Sequence, residues 1–460
     1  MSDILQPDVL PDSTDDGIGT ELVNAVSDAL EVLDDERVRA LVADLRAPDI
    51  ADLIEWLPAA RRASFVQALG AAFEFDVLSE LDETVRDQLT EELPNEYLSR
   101  AVTELDSDDA AYLVESLEPA DQAEVLAGLS HADRTALLRN LEYDEETAGR
   151  LMQSDFVAVA PFWDVGQVID YMRDTEDLPD TFSEILVVDP SFKVLGTVSL
   201  SSVLRSKRAI RMEDIMEGDL VTVQATDDQE EVARKFERYD LMSAPVVDAN
   251  NRLVGVVTVD DVVEVIQSEA DEDIRFLGGV GDESVLDSVL STTRSRFVWL
   301  LVNLMTAVLA STVIKLFDAS ISQMVALAVL MPIVASMGGN AGTQTMTVAV
   351  RALATKDLWP VNTTRVIARE ATVGILNGLF FAVILGVITV LWFGSNALGL
   401  VIAAAMIFNH VAAALAGILI PIALDRAGQD PAIASSVFVT TVTDVVGFFA
   451  FLGLATIWLF

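Results

Sequence analysis

Residues 371–424 read "ATVGILNGLFFAVILGVITVLWFGSNALGLVIAAAMIFNHVAAALAGILIPIAL", 54 positions without one charged side chain. A helix with a face in water would carry charge on that face. At about 20 residues per crossing this run predicts two membrane spans with a break near Gly394–Asn396. Outward from it the pattern repeats. Phe297–Phe317 holds one charge, Lys315, at its end; Ala319–Val350 holds none; Pro431–Phe460 holds one, Asp444. Five helices are expected, at about 297–317, 319–350, 371–393, 398–424 and 431–460, in a transmembrane domain over 297–460. Arg294 and Arg296 precede the first span. Arg351, Lys356, Arg365 and Arg369 lie between the second and third, and Arg426 between the fourth and fifth. All fall on one side if the N-terminus is inside, which predicts a cytoplasmic N-terminus and an extracellular C-terminus in the cell (plasma) membrane.

The charge is uneven. Residues 297–460 hold six basic and six acidic residues, which leaves 23 basic and 67 acidic in 1–296. The first part of the chain therefore carries the whole net charge of −44. Phosphate binding needs Lys and Arg, so nucleic acid is excluded as a partner. Cations suit the acidic part, and so does adaptation to a high-salt cytoplasm, where carboxylates keep a surface hydrated. The absence of cysteine excludes disulfides, thiolate metal sites and Cys nucleophiles. Met1–Asp16 is acidic with no apolar run, which predicts no signal peptide.

Residues 1–20 have a disordered composition. From 21 to 150 apolar residues recur at three and four, as in Ile50, Leu53, Ile54 and Leu57, with breaks near Pro48, Pro58, Pro94 and Pro119. "APDIADLIEWLP" (47–58) is similar to "SDDAAYLVESLEP" (107–119), which predicts a small all-α superhelix. Over 151–268 a unit of strands and helices occurs twice. "LMQSDFVAV" (151–159) matches "IMEGDLVTV" (215–223), and "ILVVDPSFKVLGTVSLSSVL" (185–204) matches "APVVDANNRLVGVVTVDDVV" (244–263). This tandem α/β repeat resembles a pair of CBS domains, which often bind adenine nucleotides. The second unit ends on Gly255, Thr258 and Asp261, the pattern for ribose contact. The first has Gly196, Ser199 and Ser202 and lacks the Asp. One ATP site at Thr258 and Asp261, or none, is expected. Residues 269–296 are an acidic connecting (plug) helix with a Gly break.

Asp444 is the most informative residue. A carboxylate inside an apolar span faces a polar cavity or pathway. It lies 13 residues past Pro431, roughly 20 Å along a helix, near mid-bilayer. No Lys or Arg stands at that depth. A twofold dimer with Asp444 at its axis would supply two carboxylates, the number through which Mg²⁺ binds while keeping several waters. Ser436 and Thr440 share its helix face. In "MPIVASMGGNAGTQTMTVAV" (331–350), Pro332 frees a carbonyl, Gly338, Gly339 and Gly342 allow close approach, and Asn340, Gln344 and Thr345 offer neutral oxygens. His131 reads as a surface residue and His410, beside Asn409, as a structural one.

The whole order resembles the MgtE family of magnesium channels. The matching stretches are "YDEETAGRLM" (143–152), "DDVVEVIQSEADEDIRFLGGV" (260–280), Pro332 with Gly339, Asn340, Gly342 and Gln344, and "TDVVGF" (443–448). The resemblance implies a homodimer with its pore on the dimer axis, lined by the second and fifth spans, with Asp444 as the selectivity aspartate. It implies regulatory Mg²⁺ held by Glu230, Asp261, Glu264, Glu269, Glu272 and Asp273, with Asp430 at the inner mouth, and a functional role for Glu370. Ser436 stands where some members carry Asn. The expected function is Mg²⁺ import closed by cytoplasmic Mg²⁺. A broader divalent transporter (Mn²⁺, Co²⁺) is the alternative. A CBS-regulated membrane enzyme or sensor would need a catalytic constellation, and no HExxH, GxSxG, P-loop or Cys is present.

Overall fold

The computed structural model describes residues 18–460 apart from 176, 177, 180, 282, 284, 285, 287, 359 and 360, and leaves the side chains of 434 and 435 undescribed. Most of the expected disordered tail therefore lies outside the described residues, as do four positions of the connecting segment. The chain forms two compact units, residues 1–268 and 269–460.

The first unit opens with short helices, among them Ala47–Trp56, Ala59–Leu69, Asn95–Glu104, Ser107–Ser116 and Pro119–Gly128. Helices of ten or so residues are marginal alone, so their stability comes from a buried face. The prolines start helices. Pro48 and Pro119 sit in the first turn, and Pro58 and Pro94 are N-caps. There the missing N–H costs no helical bond. The two similar stretches bury the same register: Ile50, Ala51, Leu53 and Ile54 in one, Ala110, Ala111, Leu113 and Val114 in the other. Phe65, Val77, Leu78, Leu89 and Leu98 complete a continuous core.

The α/β repeat folds as two three-stranded sheets of identical topology. In the first, β1 (Ala158–Val159) runs parallel to β2 (Glu184–Val188), which pairs antiparallel with β3 (Val194–Ser199). In the second, β4 (Val223–Gln224), β5 (Ser243–Val247) and β6 (Leu253–Thr258) do the same. Each hairpin turns on an aspartate. Asp189 Oδ1 accepts the N–H groups of Ser191 (2.8 Å) and Lys193 (3.0 Å), and Asp248 Oδ1 those of Asn250 (2.8 Å) and Arg252 (2.9 Å). The Ser191 hydroxyl, which also donates to Asp189 Oδ1 (2.7 Å), and then the Lys193 N–H hold Asp189 below its usual range, and the Arg252 N–H and then that of Asn250 do so for Asp248.

Each repeat lends its lead-in residue to the other. Gln153 bridges to Val256 of β6, and Glu217 to Thr197 of β3. A methyl at Gly255 would stand 2.6 Å from Met152 Sδ and 2.8 Å from the Gln153 carbonyl oxygen. Gly255→Ala is therefore expected to destabilise the first unit by about 2 kcal/mol, the usual cost of overpacking a closed site. Urea unfolding of the full chain in detergent measures it, and an unchanged first transition refutes it.

A helix over Val259–Leu277 leaves β6 and ends at Gly278 and Gly279. In the second unit five helices are long and apolar enough to cross a membrane: Val289–Lys315, Ala326–Ala354, Thr363–Phe393, Asn396–Arg426 and Pro431–Leu459, the last apolar from Ser436. These are the first to fifth spans below. At 27 to 31 residues they are longer than the roughly 20 needed for a 30 Å core. Backbone hydrogen bonding continues into the charged flanks, so the helices exceed the apolar runs. Residues 319–323, read as the start of the second span, belong to a separate short helix, Asp318–Gln323. Ser320 and Thr456 share a hydroxyl–hydroxyl hydrogen bond (2.8 Å), which ties that helix to the end of the fifth span.

The third and fourth spans pack through glycines. Gly374 and Gly378 meet the backbone of His410 and Ile407, and Gly386 faces Gly399. In lipid this close approach substitutes for the missing hydrophobic drive. The first span contrasts: of its 27 residues Ala310 alone is buried.

Candidate ion pathway and acidic clusters

The fifth span starts on a cap. Pro431 occupies its first turn, and Asp430 Oδ1 accepts the Ala432 N–H at 2.7 Å. Ser436 and Asp444 are part-exposed and Thr440 is exposed on one face. Thr443 is fully buried and donates its hydroxyl proton to the Thr440 carbonyl (2.9 Å). Among the described residues no basic group forms an ion pair with Asp444, and none donates a hydrogen bond to it.

The second span presents a parallel stripe. Ser336, Asn340, Thr343, Gln344 and Thr347 are all exposed. Asn340 Nδ2 donates to the Ser336 carbonyl at 2.9 Å, which turns its amide along the stripe. Thr345, offered as an oxygen donor from sequence, is buried instead. Ser336, Thr343 and Thr347 were missed; their spacing of four, three and seven from Asn340 was the available signal.

Three glycines were expected to let backbones approach; at two of them side chains of neighbouring spans pack close instead. A methyl at Gly342 would lie 2.6 Å from Val439 Cγ1, and Gly338 faces Asn409. Gly339 is different: nothing lies within 4 Å of where its Cβ would be. It opens the stripe to space rather than closing a contact. Gly342→Val is expected to push the second span from the fifth and cost roughly 2 kcal/mol or more. The check is the thermal midpoint of the full chain in detergent, which should fall by several degrees.

Glu370 is 7% exposed near the start of the third span, with Arg369 Nη1 3.5 Å from its Oε1.

In the first unit a group of carboxylates gathers where the helix Ser107–Ser116 meets the start of the helix Val259–Leu277. Asp108, Asp109, Asp261 and Glu264 take part, with Glu80 near Glu264. Burial, and then the charge of Asp261, raises Asp108 well above the ordinary range and Asp109 to about 7. Burial raises Asp261 to about 6 against the hydrogen bond from Thr258, and burial also raises Glu80 and Glu264. Asp261 Oδ2 accepts the Thr258 hydroxyl (2.6 Å) and Gln153 Nε2 (3.2 Å). Both candidate nucleotide residues thus meet at one point. Glu80, Asp108 and Asp109 were missed from sequence, because nothing local links them to Asp261.

Of the other candidates, Glu230 lies in the first turn of the helix Gln229–Tyr239, its N–H donating to Asp228 Oδ1 (2.9 Å). Glu269, Glu272 and Asp273 follow on the long helix, in the second unit. Burial, then Asp430 and Glu269, raises Asp273. The expected sensing set therefore falls into two described groups. Among the described residues no three His, Asp or Glu side chains stand close enough to coordinate one ion directly. A strongly hydrated ion needs only one or two direct carboxylates.

Comparison with known proteins agrees with this layout. The family described as "MgtE: Divalent cation transporter" matches residues 331–454, the MgtE intracellular N domain matches 45–146, and the CBS domain matches 148–208 and 212–268. The magnesium transporter MgtE of Thermus thermophilus is 36% identical over 314 residues, 68% of this chain and 70% of the relative. That of Bacillus subtilis is 31% identical over 312 residues, 68% and 69% of the two chains. Among solved structures, the cytosolic domain of the Mg²⁺ channel MgtE in complex with ATP is 31% identical with a TM-score of 0.50. It covers 53% of this chain and 99% of its own. The chain belongs to the MgtE family of divalent cation transporters.

Proposed function

We propose that the chain is a Mg²⁺ channel of the plasma membrane that admits the ion down its electrochemical gradient as a homodimer. It is a transporter and not an enzyme, as its relatives are. One observation carries the reading. On the polar faces of the second and fifth spans, Ser336, Asn340, Thr347 and Thr440 are exposed and Ser436 and Asp444 part-exposed in the single chain. Polar groups facing lipid are costly, so a second copy must cover them. Twofold pairing brings two Asp444 carboxylates to one axis and encloses a polar passage. A hydrated ion held by two carboxylates through its waters binds weakly enough to leave.

The basic residues flanking the spans support a cytoplasmic N-terminus. Cytoplasmic Mg²⁺ then closes the channel by bridging carboxylates that otherwise repel. Asp108, Asp109, Asp261 and Glu264 form one such group, and Glu269, Asp273 and Asp430 another, with Glu230 and Glu272 as further contributors. A ligand can favour the closed state only by binding it more tightly than the open one. Bridging carboxylates of two elements is such a preference. ATP binding at Thr258 and Asp261 is supported by the ATP complex of the related cytosolic domain.

The oxygen-only ligand set and the family description also fit a broader divalent transporter. Flux into vesicles containing the full chain tests the reading. Mg²⁺ uptake should be inhibited by Mg²⁺ on the soluble side and lost in Asp444→Ala. Equal competition by Mn²⁺ and Co²⁺ would favour the broader specificity.

A further inference from the structure

A side chain that belongs to neither polar stripe sits between the two spans that carry them. Asn409, midway along the fourth span, is 0% exposed. Its Nδ2 donates to the Val334 carbonyl of the second span at 2.7 Å. A methyl at Gly338 of the second span would stand 2.8 Å from Asn409 Cγ and Oδ1. One at Gly447 of the fifth span would stand 3.0 Å from its Cγ, Nδ2 and Oδ1. The amide thus fills the gap between two glycines on different spans, with no room for a side chain on Gly338 and a tight fit for one on Gly447.

Its Oδ1 is buried and accepts from no donor among the described residues. Leucine would fill similar space without an unsatisfied carbonyl, so packing alone does not account for an amide. The amide adds a directional bond on the second span. Gly338 lies two residues before Asn340 and Gly447 three after Asp444, each within a turn of its stripe.

We propose that Asn409 is a positioning residue whose amide sets the separation of the second and fifth spans at the level of Asn340 and Asp444, and so decides which hydrated cations pass. The inference rests on reading those stripes as the ion path. A strongly hydrated ion touches the wall through its waters, and Mg²⁺ sheds them more reluctantly than Ca²⁺. A small change in wall spacing therefore alters the two fluxes unequally.

The test measures initial Mg²⁺ and Ca²⁺ fluxes into vesicles containing the full chain, with gel filtration and thermal midpoint recorded for each variant. Asn409→Ala empties the wedge, and Gly447→Ala presses on it from the fifth span. Each is expected to change the Mg²⁺:Ca²⁺ flux ratio at least threefold in folded protein. Adding Gly338→Ala to Asn409→Ala returns a methyl to the vacated space and should bring the ratio back to within twofold of wild type. Asn409→Ser replaces the alanine variant if that one does not fold. A wild-type ratio in folded single variants, whatever their total flux, overturns the proposal, as does a double variant no nearer wild type than the single. Asp444→Ala in the same vesicles separates the two readings. If it conducts, the ion path itself is wrong; if it is silent while the Asn409 variants keep the ratio, only the wedge fails.

Discussion

Asp444→Asn is expected to reduce Mg²⁺ flux at least about 100-fold while leaving the protein folded. The substitution keeps the shape and removes the charge. A divalent ion and one carboxylate about 5 Å apart, across a water, attract by roughly 7 kcal/mol at an effective dielectric constant of about 20. Desolvation cancels much of this. If only about 1.5 kcal/mol per carboxylate survives, each is still worth more than tenfold in occupancy, and a dimer loses two. Asp444→Glu keeps the charge on a longer arm and should retain a measurable fraction of the flux. Because no basic side chain is paired with Asp444 among the described residues, removing it strands no buried cation, so stability should change little. Flux within threefold of wild type in folded Asp444→Asn would remove this carboxylate from the path.

The second large effect concerns the Asp108, Asp109 and Asp261 group. These carboxyls sit above their ordinary range in the folded unit, Asp109 at about 7 and Asp261 at about 6. A raised acid takes up a proton on folding. It therefore disfavours the fold when ionised: stability is highest below about pH 4, falls as pH rises from about 4 to about 7, and levels off above that. Without divalent ions, Asp109→Asn at pH 7.5 is expected to stabilise the first unit by roughly 2–4 kcal/mol, from about three pH units at 1.4 kcal/mol each with a discount for relaxation.

The same protons compete with Mg²⁺. Metal binding to carboxylates releases protons, so affinity falls as pH falls. With Asp109 near 7, the Mg²⁺ concentration that halves the flux should rise about tenfold between pH 8 and pH 6. In Asp108→Asn/Asp109→Asn the inhibition should weaken and lose most of its pH dependence, with flux at low Mg²⁺ unchanged. A wild-type inhibition curve in that variant would exclude the group as a Mg²⁺ sensor.

The family's layout was readable because its signals are local. Charge-free runs, the twofold α/β repeat with its paired aspartate turns, and prolines that open helices all work through neighbours within a dozen residues. The polar stripe of the fifth span was equally plain, since Ser436, Thr440 and Asp444 are four apart and a helix places such residues on one face. Reading failed where local identity is ambiguous. A glycine in an apolar helix packs closely at Gly342 and stands open at Gly339, and no rule of spacing separates them. The helices also outran the apolar runs, because hydrogen bonding does not stop where the membrane does.

Composition and periodicity alone determined that the chain has an acidic soluble part, a repeated α/β module and five apolar spans, one with a mid-depth carboxylate. Only the tertiary structure decided that Glu80, Asp108 and Asp109 join the neighbourhood of Asp261 and Glu264, and that the Asn409 amide sits between Gly338 and Gly447. The difference is physical. Helix formation and membrane partition act on contiguous residues, whereas charge repulsion and close packing depend on which distant segments the fold brings within a few ångströms.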